Sequence, residues 1–210
     1  MKTPEPQASV ALVEVLLTPA EDRELNKKVS TLLYPGKGPR GHYLIIERSF
    51  RPDDPWSGHL ALPGGRKENS DPNLWSTCLR ELNEEVGLSL EREDKTQSST
   101  APILHLELPV VLARKSQKQR LPVQPFWIGL QKSDLPHLNL DPLEVNRSFW
   151  IPHSQLAQNE NVTFNKISPY NSLSYPCLPV DNRFLWGFTY EVFRLFFAHF
   201  YGIQLPVEPQ

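Results

Sequence analysis

The chain has 210 residues, of which 39% are hydrophobic and 22% charged, and its net charge is −2. These values are typical of a soluble globular protein with one substantial core, and they give no electrostatic reason to expect a nucleic acid or a membrane as partner. Two cysteines are too few for a disulfide framework, so we expect an intracellular, reducing compartment, the cytoplasm first, with an organelle left open.

The first part of the chain alternates apolar strands with polar connections. The segments "SVALVEVLLT" (9–18) and "HYLIIER" (42–48) are predicted to form buried strands, and residues 19–41 between them an exposed loop. The segment "HLALPGG" (59–65) is predicted as a short strand that ends in the glycine pair Gly64 and Gly65.

A helix with clear signals at both ends follows. Asp71 is its predicted N-cap, Pro72 its first residue, and Gly87 its stop. Its apolar residues form one continuous arc, and three glutamates border that arc: Glu81, Glu84 and Glu85. The helix can therefore pack on a core and still present a row of carboxylates to a cleft.

The second half of the chain is predicted to hold strands and one long helix. The segments "ILHLELPVVLAR" (103–114), "LPVQPFWIGL" (121–130) and the end of "DPLEVNRSFWIP" (141–152) are predicted strands, and "KSQKQR" (115–120) is a basic turn between the first two. A short helix at "HSQLA", a short strand at "NVTFNKI", an irregular "YPCLPVDNR" and an aromatic helix at 184–201 complete the chain. This irregular alternation predicts one α+β domain over residues 1–210 with a mixed sheet.

The row of glutamates is electrostatically unfavourable and is therefore a candidate functional site. Like charges at these spacings disfavour a helix by roughly 0.2–0.5 kcal/mol per pair, so something should offset their repulsion. Carboxylates at i, i+3 and i+4 can converge on hard cations such as Mg²⁺. The alternative is a solvated acidic helix edge, which is the commoner meaning of a charge run.

The surrounding residues resemble the signature of the Nudix hydrolase family. That signature is a Gly, five residues, a Glu, seven residues, and then Arg-Glu-U-x-Glu-Glu-x-Gly-U, with U a bulky aliphatic residue. "RELNEEVGL" (80–88) meets every position of its second half. The first half departs from the signature at two points. Asp71 takes the place of the Glu after Gly65, and eight residues separate Asp71 from Arg80 where the signature has seven.

Further likenesses point to the coenzyme A diphosphatases within that family. Their upstream pattern is matched by Arg48, Ser49, Arg51, Gly58 and "LPGG" (62–65), with Leu62 in place of an aromatic residue. Their late Trp-Gly-x-Thr helix start is matched by Trp186, Gly187 and Thr189. The resemblance implies an α/β/α sandwich around a mixed sheet and metal-dependent hydrolysis of a diphosphate linkage, foremost in coenzyme A or acyl-coenzyme A.

The resemblance also implies roles for individual residues. Glu81, Glu84 and Glu85 are implied as ligands of Mg²⁺ or Mn²⁺, with one of them also serving as base, and Arg80 as a brace that orients a glutamate. The implied substrate-binding residues are Arg48, Arg51, Gly64 and Gly65. The general base is left open among the residues Glu81, Glu84, Asp141 and Glu144.

The sequence is compatible with three hypotheses about function. The first is the coenzyme A diphosphatase, with a small nucleotide substrate and an open oligomeric state in which a homodimer is possible. The second is a Nudix hydrolase of an ADP-sugar, a dinucleoside polyphosphate or a nucleoside triphosphate. The third is a non-catalytic Nudix-like binding module, which the complete second half of the motif disfavours.

Overall fold

The computed structural model of the protein describes residues 5–17, 41–90, 104–114, 119–132, 136–167 and 173–207. Its strands are β1 Ala8–Leu17, β2 His42–Arg48, β3 Leu60–Ala61, β4 Gly64–Arg66, β5 Leu104–Glu107, β6 Val111–Arg114, β7 Arg120–Lys132, β8 Val145–Pro152, β9 Thr163–Lys166, β10 Ser174–Val180 and β11 Arg183–Trp186. Its helices are α1 Leu74–Val86, α2 His153–Leu156 and α3 Gly187–Tyr201, with a 3-10 turn at Asn159–Asn161. Nearly all of the predicted loop 19–41 lies outside the described residues, as does most of the basic turn after β6.

The strand β1 is the centre of the main sheet. It runs parallel to β7 from the pair Ala8–Val123 to the pair Leu17–Lys132, and antiparallel to β2 and β4. The strands β3 and β8 join β2, while β5 and β6 join β7. One parallel pair among antiparallel neighbours makes this a mixed sheet, as the sequence predicts.

Helices cover both faces of that sheet. Because side chains alternate along a strand, Ala11 and Val13 of β1 pack under α1, in a cluster that includes Leu82 and Val86. Leu12 faces the opposite cluster, which includes Phe193 of α3. The predicted α/β/α sandwich is therefore confirmed. Among the described residues no helix has the length and apolar character needed to span a membrane.

The segment 175–183 corrects a prediction, because it is a hairpin of β10 and β11 and not irregular. Its prolines suggested a break, but Pro176 lies where β10 pairs only with β9, and Pro179 where it pairs only with β11. Each proline thus has one neighbouring strand, the situation of an edge strand, where proline is tolerated. Asp181 makes the turn at φ 52°, a conformation that Asp accepts more readily than most residues.

Two other boundaries differ from the sequence prediction. The segment 103–114 is two strands, β5 and β6, separated at Pro109, and both pair with β7. The last helix begins at Gly187 and not at Phe184, because the residues before it pair with β10 as β11.

The two cysteines are both buried and do not form a disulfide. Burial raises the pKa of the Cys78 thiol to about 12, so at neutral pH it is protonated and unsuited to nucleophilic chemistry. Cys78 belongs to the core beneath α1, as the apolar arc predicts.

Candidate active site

The helix α1 carries the predicted site, and its start corrects a prediction. The N-cap is Asn73 and not Asp71, because the Asn73 side chain accepts a hydrogen bond of 2.9 Å from the backbone N–H of Ser76. The predicted stop is confirmed, since Gly87 has φ 67° and its N–H donates to the carbonyl of Asn83 at 2.9 Å. Pro72 therefore lies before the helix.

Asp71 serves a different purpose from capping. Its carboxylate accepts two hydrogen bonds from the Arg80 guanidinium, Nε to Oδ1 at 3.1 Å and Nη2 to Oδ2 at 3.0 Å. It also accepts from the backbone N–H of Glu68 at 2.9 Å and from the hydroxyl of Thr77 at 3.0 Å. Together, chiefly through Arg80, these donors hold the pKa of Asp71 well below its usual range.

Arg80 joins the loop before the helix to the glutamates on the helix. Its Nη2 also donates to the backbone carbonyl of Arg66 at 3.1 Å. Its Nη1 donates to Glu81 at 3.0 Å and to Glu84 at 2.8 Å. Arg80 thus contacts both the loop and the glutamates, and its contact with Glu84 is also an i,i+4 pair on the helix.

The three glutamates differ in exposure. Glu84 is exposed, Glu81 is mostly covered, and Glu85 is only 2% exposed. Glu85 accepts a hydrogen bond of 2.9 Å from the backbone N–H of Gly64. Burial, together with the charges of Glu81 and Glu144, raises the pKa of Glu85 to about 8, against the lowering effect of the hydrogen bond from Gly64. Burial also raises the pKa of Glu81, against the opposing charge of Arg80.

The glycine pair brings the backbone of β4 close to these carboxylates. Gly64 has φ 147°, and a Cβ there would collide with the backbone of β1 at Ser9. A Cβ at Gly65 would collide with the carboxylate of Glu81. Gly64 therefore has to be glycine, whereas a side chain at Gly65 would displace the carboxylate of Glu81.

Arg48 and Arg51 both reach the same cleft, but each already binds a carboxylate. The Nη2 of Arg48 donates to Asp54 at 2.8 Å, and its Nε is buried without a hydrogen-bond partner among the described residues. The Nη2 of Arg51 donates to Glu144 at 2.9 Å and to the carbonyl of Leu143 at 2.9 Å.

The turn that contains Asp141 and Glu144 is attached to the end of α1. The backbone N–H of Asp141 donates to the carbonyl of Glu85 at 3.0 Å, and both acids line the cleft. The structure therefore places the two late acids beside the glutamate row, although they are more than fifty residues away in sequence.

A single cleft of about 1070 Å³ contains every predicted site residue. One of its walls is aromatic, with ring centroids 5.7 Å apart for Trp56 and His59, 5.4 Å for His59 and Trp186, and 5.3 Å for Tyr175 and Trp186. Trp186, the first residue of the Trp-Gly-x-Thr match, is buried, and its ring also borders the cleft. Burial lowers the pKa of His59, which favours a neutral ring in this wall.

The sequence does not predict a basic rim of the cleft, formed by three arginines. Arg66 of β4, Arg114 of β6 and Arg120 of β7 line this rim. The basic segment 115–120, predicted as a turn, contains Arg120 and directly follows Arg114, and this is the signal in the sequence that points to the last two. Asp54, the partner of Arg48, was also missed, because nothing in the local sequence marks it.

Comparison with known proteins identifies the family. The model of the NUDIX domain matches residues 25–170, more than half of the chain. The chain belongs to the NUDIX family. The resemblance of "RELNEEVGL" and its surroundings to that family is thereby confirmed.

Relatives of this NUDIX chain include two curated proteins. An uncharacterized protein of Schizosaccharomyces pombe is 34% identical over 137 residues, which are 64% of this chain and 40% of the relative. The human mitochondrial coenzyme A diphosphatase NUDT8 is 28% identical over 149 residues, which are 70% of this chain and 57% of the relative. The matches thus span about half the length of these two relatives.

Among solved structures, a NUDIX hydrolase from Alicyclobacillus acidocaldarius is similar with a TM-score of 0.45 and 14% identity. The match covers 81% of this chain and 90% of that chain. At this level of similarity it contributes nothing to the assignment of a substrate.

The donor set of the NUDIX site fits a hard divalent cation. Glu81, Glu84 and Glu85 offer carboxylate oxygens, the ligands that Mg²⁺ and Mn²⁺ prefer, and burial, the main cause of the raised pKa of Glu81 and Glu85, makes a compensating positive charge favourable there. Within the described ranges, however, no three acidic, His or Cys side chains are arranged as a metal-binding set. Arg80 instead holds Glu81 and Glu84 through its Nη1.

Proposed function

We propose that this NUDIX protein uses Mg²⁺ or Mn²⁺ to hydrolyse the diphosphate linkage of a nucleoside diphosphate derivative, foremost coenzyme A or its acyl thioesters. The observation that carries this proposal is the position of three glutamates of α1 beside the backbone of Gly64 and Gly65 in one cleft. A row of repelling carboxylates at a cleft wall suits a cation and the anionic substrate that the cation attracts.

The reaction is balanced by one molecule of water. The oxygen of water adds to one phosphorus, the bond from that phosphorus to the bridging oxygen breaks, and the second phosphate leaves with the bridging oxygen. A base takes the proton that water loses. From coenzyme A the products are 3′,5′-ADP and 4′-phosphopantetheine. A divalent cation, when bound, supplies the positive charge that neutralises the carboxylates and the diphosphate.

Each group of site residues has its own role in this reaction. Glu81, Glu84 and Glu85 would hold the cation, and Arg80 fixes the orientation of Glu81 and Glu84 from its anchor on Asp71. The buried Nε of Arg48 is a donor without a partner in the described residues, and buried donors are normally satisfied. We therefore assign Arg48 to an oxygen of the diphosphate.

The preference for a large organic substrate is supported by the aromatic wall. Trp56, His59 and Trp186 present partly apolar ring surface in the cleft that also holds the carboxylates. Such a wall can stack a purine base or cover an apolar arm. The human relative that carries the name of a coenzyme A diphosphatase adds support for coenzyme A.

The experiment is hydrolysis of a substrate panel by the purified protein with Mg²⁺, Mn²⁺ or EDTA. The panel contains coenzyme A, ADP-ribose, diadenosine polyphosphates and deoxynucleoside triphosphates. We expect coenzyme A to give the highest kcat/KM and EDTA to abolish turnover. A folded protein that hydrolyses none of them contradicts the catalytic proposal and favours a binding module. Faster hydrolysis of another compound keeps the reaction and overturns the choice of coenzyme A.

A further inference from the structure

Two arginines lie opposite each other at the end of the β6–β7 ladder. Arg114 and Arg120 are direct cross-strand partners in this antiparallel pair, and both line the cleft that holds the glutamates. Like charges directly opposite each other in a sheet are destabilising, so a bound anion between them would relieve their repulsion. Both arginines also interact with other groups of the protein. Their position in the cleft and their positive charge are the two properties that suit them to an anion.

The strand register places this pair beyond the glutamates, across the sheet. Gly65 pairs with Ser9, and Ser9 pairs with Gln124 of β7. Two strand intervals correspond to roughly 10 Å, and the four residues from Gln124 to Arg120 to roughly 13 Å along the strand. A nucleotide whose diphosphate lies at the glutamates must extend across the cleft to reach the pair with another group.

We propose that Arg114 and Arg120 bind a phosphomonoester on the ribose of the substrate, which in coenzyme A is the 3′-phosphate. This inference rests on the proposed function and identifies the residues that would favour a substrate with a phosphate on its ribose over one without. Guanidinium groups match the geometry of phosphate oxygens and form charge-assisted hydrogen bonds with them. Arg66, on the same rim, adds positive charge on the side of β4.

Arg48 and Arg51, the two arginines that the family resemblance implies as substrate-binding, are less suited to the phosphomonoester. Arg51 binds Glu144 and the carbonyl of Leu143, and Arg48 binds Asp54 beside the site of the diphosphate. Arg48 belongs to β2 and Glu144 directly precedes β8, whereas the arginine pair belongs to β6 and β7, and β1 lies between these two pairs of strands in the sheet. Arg48 therefore serves the diphosphate, and the pair on β6 and β7 serves the phosphomonoester.

The test compares coenzyme A with 3′-dephospho-coenzyme A as substrates of the same protein. We expect kcat/KM for coenzyme A to exceed that for the dephospho form by roughly 10- to 100-fold, the contribution of one or two charge-assisted hydrogen bonds. The variants Arg114→Gln and Arg120→Gln should bring this ratio close to one. The ratio should also fall as salt is added, because partly exposed charges are screened.

The matched control is Arg183→Gln. Arg183 is an exposed arginine on β11 that binds Glu47 at 3.3 Å and does not line the cleft, so its loss should leave the ratio as it is in the native protein. A ratio near one in the native protein overturns the inference while the hydrolase stands. Equal loss of turnover on both substrates in Arg114→Gln and Arg120→Gln overturns it as well, because that result is expected of a structural role.

A binding measurement keeps the two proposals separable. If neither compound is hydrolysed, the choice of coenzyme A as substrate fails, and isothermal titration with 3′,5′-ADP, 2′,5′-ADP and 5′-AMP, which differ only in the second phosphate on the ribose, still tests the pair. Tighter binding of 3′,5′-ADP, weakened by Arg114→Gln, supports the pair as a site for the 3′-phosphate. Tighter binding of 2′,5′-ADP overturns the choice of the 3′ position, and equal affinity for all three overturns the site.

Discussion

Arg80 holds Asp71 through two parallel hydrogen bonds, Nε to Oδ1 at 3.1 Å and Nη2 to Oδ2 at 3.0 Å. This pair connects the loop after β4 to the middle of α1. Through the same guanidinium, it determines where Glu81 and Glu84 lie. The pair is therefore structural support for the glutamate row, and it can be tested separately from the chemistry.

Replacing Asp71 with Asn keeps the size of the side chain and removes its charge. Because Asp71 is only 6% exposed and accepts charge-assisted bonds, we expect the Asp71→Asn variant to lose about 1–3 kcal/mol of the free energy of unfolding. Urea denaturation measures this loss. The matched control is Asp181→Asn at an exposed turn, which should stay within about 0.5 kcal/mol of the native protein. Equal stability of both variants would contradict the proposed support.

The ion pair of Arg80 and Asp71 also makes the stability of the protein depend on pH in the acidic range. The folded protein lowers the pKa of Asp71 from its unfolded value, so the stabilisation is complete above about pH 4 and is lost as the pH falls through the folded pKa. The difference in free energy of unfolding between the native protein and Asp71→Asn should therefore be constant from pH 6 to pH 7 and shrink below about pH 4. Denaturation curves across this range measure it, and a difference that grows on acidification would contradict the assignment.

Gly65→Ala tests the position of Glu81 without changing any charge. The added Cβ would collide with the Glu81 carboxylate, so we expect a large loss of metal-dependent turnover with a small loss of stability. Gly64→Ala is the comparison, because φ 147° and the backbone of Ser9 oppose any side chain there, and we expect it to unfold the protein. Thermal melts and kcat/KM separate the two outcomes. Full activity in Gly65→Ala would show that the close approach is unimportant.

Binding of a divalent cation should stabilise the helix that carries the glutamates. A ligand that binds only the folded state raises its stability, and Mg²⁺ would relieve the repulsion between Glu81 and Glu85. We expect Mg²⁺ to raise the melting temperature, EDTA to reverse the rise, and Glu81→Gln to abolish it. Glu160→Gln, an exposed glutamate in a 3-10 turn, should respond like the native protein. A melting temperature indifferent to Mg²⁺ and Mn²⁺ would count against the metal site.

Local patterns in the sequence predicted most of the fold. The apolar run within 42–48 predicts β2 with its observed bounds, and Gly87 marks the end of α1 because a left-handed residue favours glycine. The N-cap was wrong because Asp71 and Asn73 are both good capping residues. Only the distant contact of Asp71 with Arg80 decides between them.

The candidate site was predictable where its residues are close together in sequence. The glutamates of α1 form a local row, so their common cleft could be foreseen. Residues that reach the cleft through the register of the sheet could not be foreseen in the same way. Arg114 and Arg120 become neighbours only through pairing of β6 with β7, and the aromatic wall requires the loop after β2 to meet the start of α3.

The central claim is that the glutamate row of α1 carries out metal-dependent hydrolysis of a diphosphate. The most direct measurement is kcat on coenzyme A, with saturating Mg²⁺, for Glu84→Gln and Glu85→Gln. Gln is isosteric with Glu and can still accept the Gly64 N–H that Glu85 accepts, so the fold should be retained. We predict that kcat falls by at least about 100-fold in each variant, while Glu160→Gln keeps native turnover. Unchanged turnover in both Glu84→Gln and Glu85→Gln would contradict the claim.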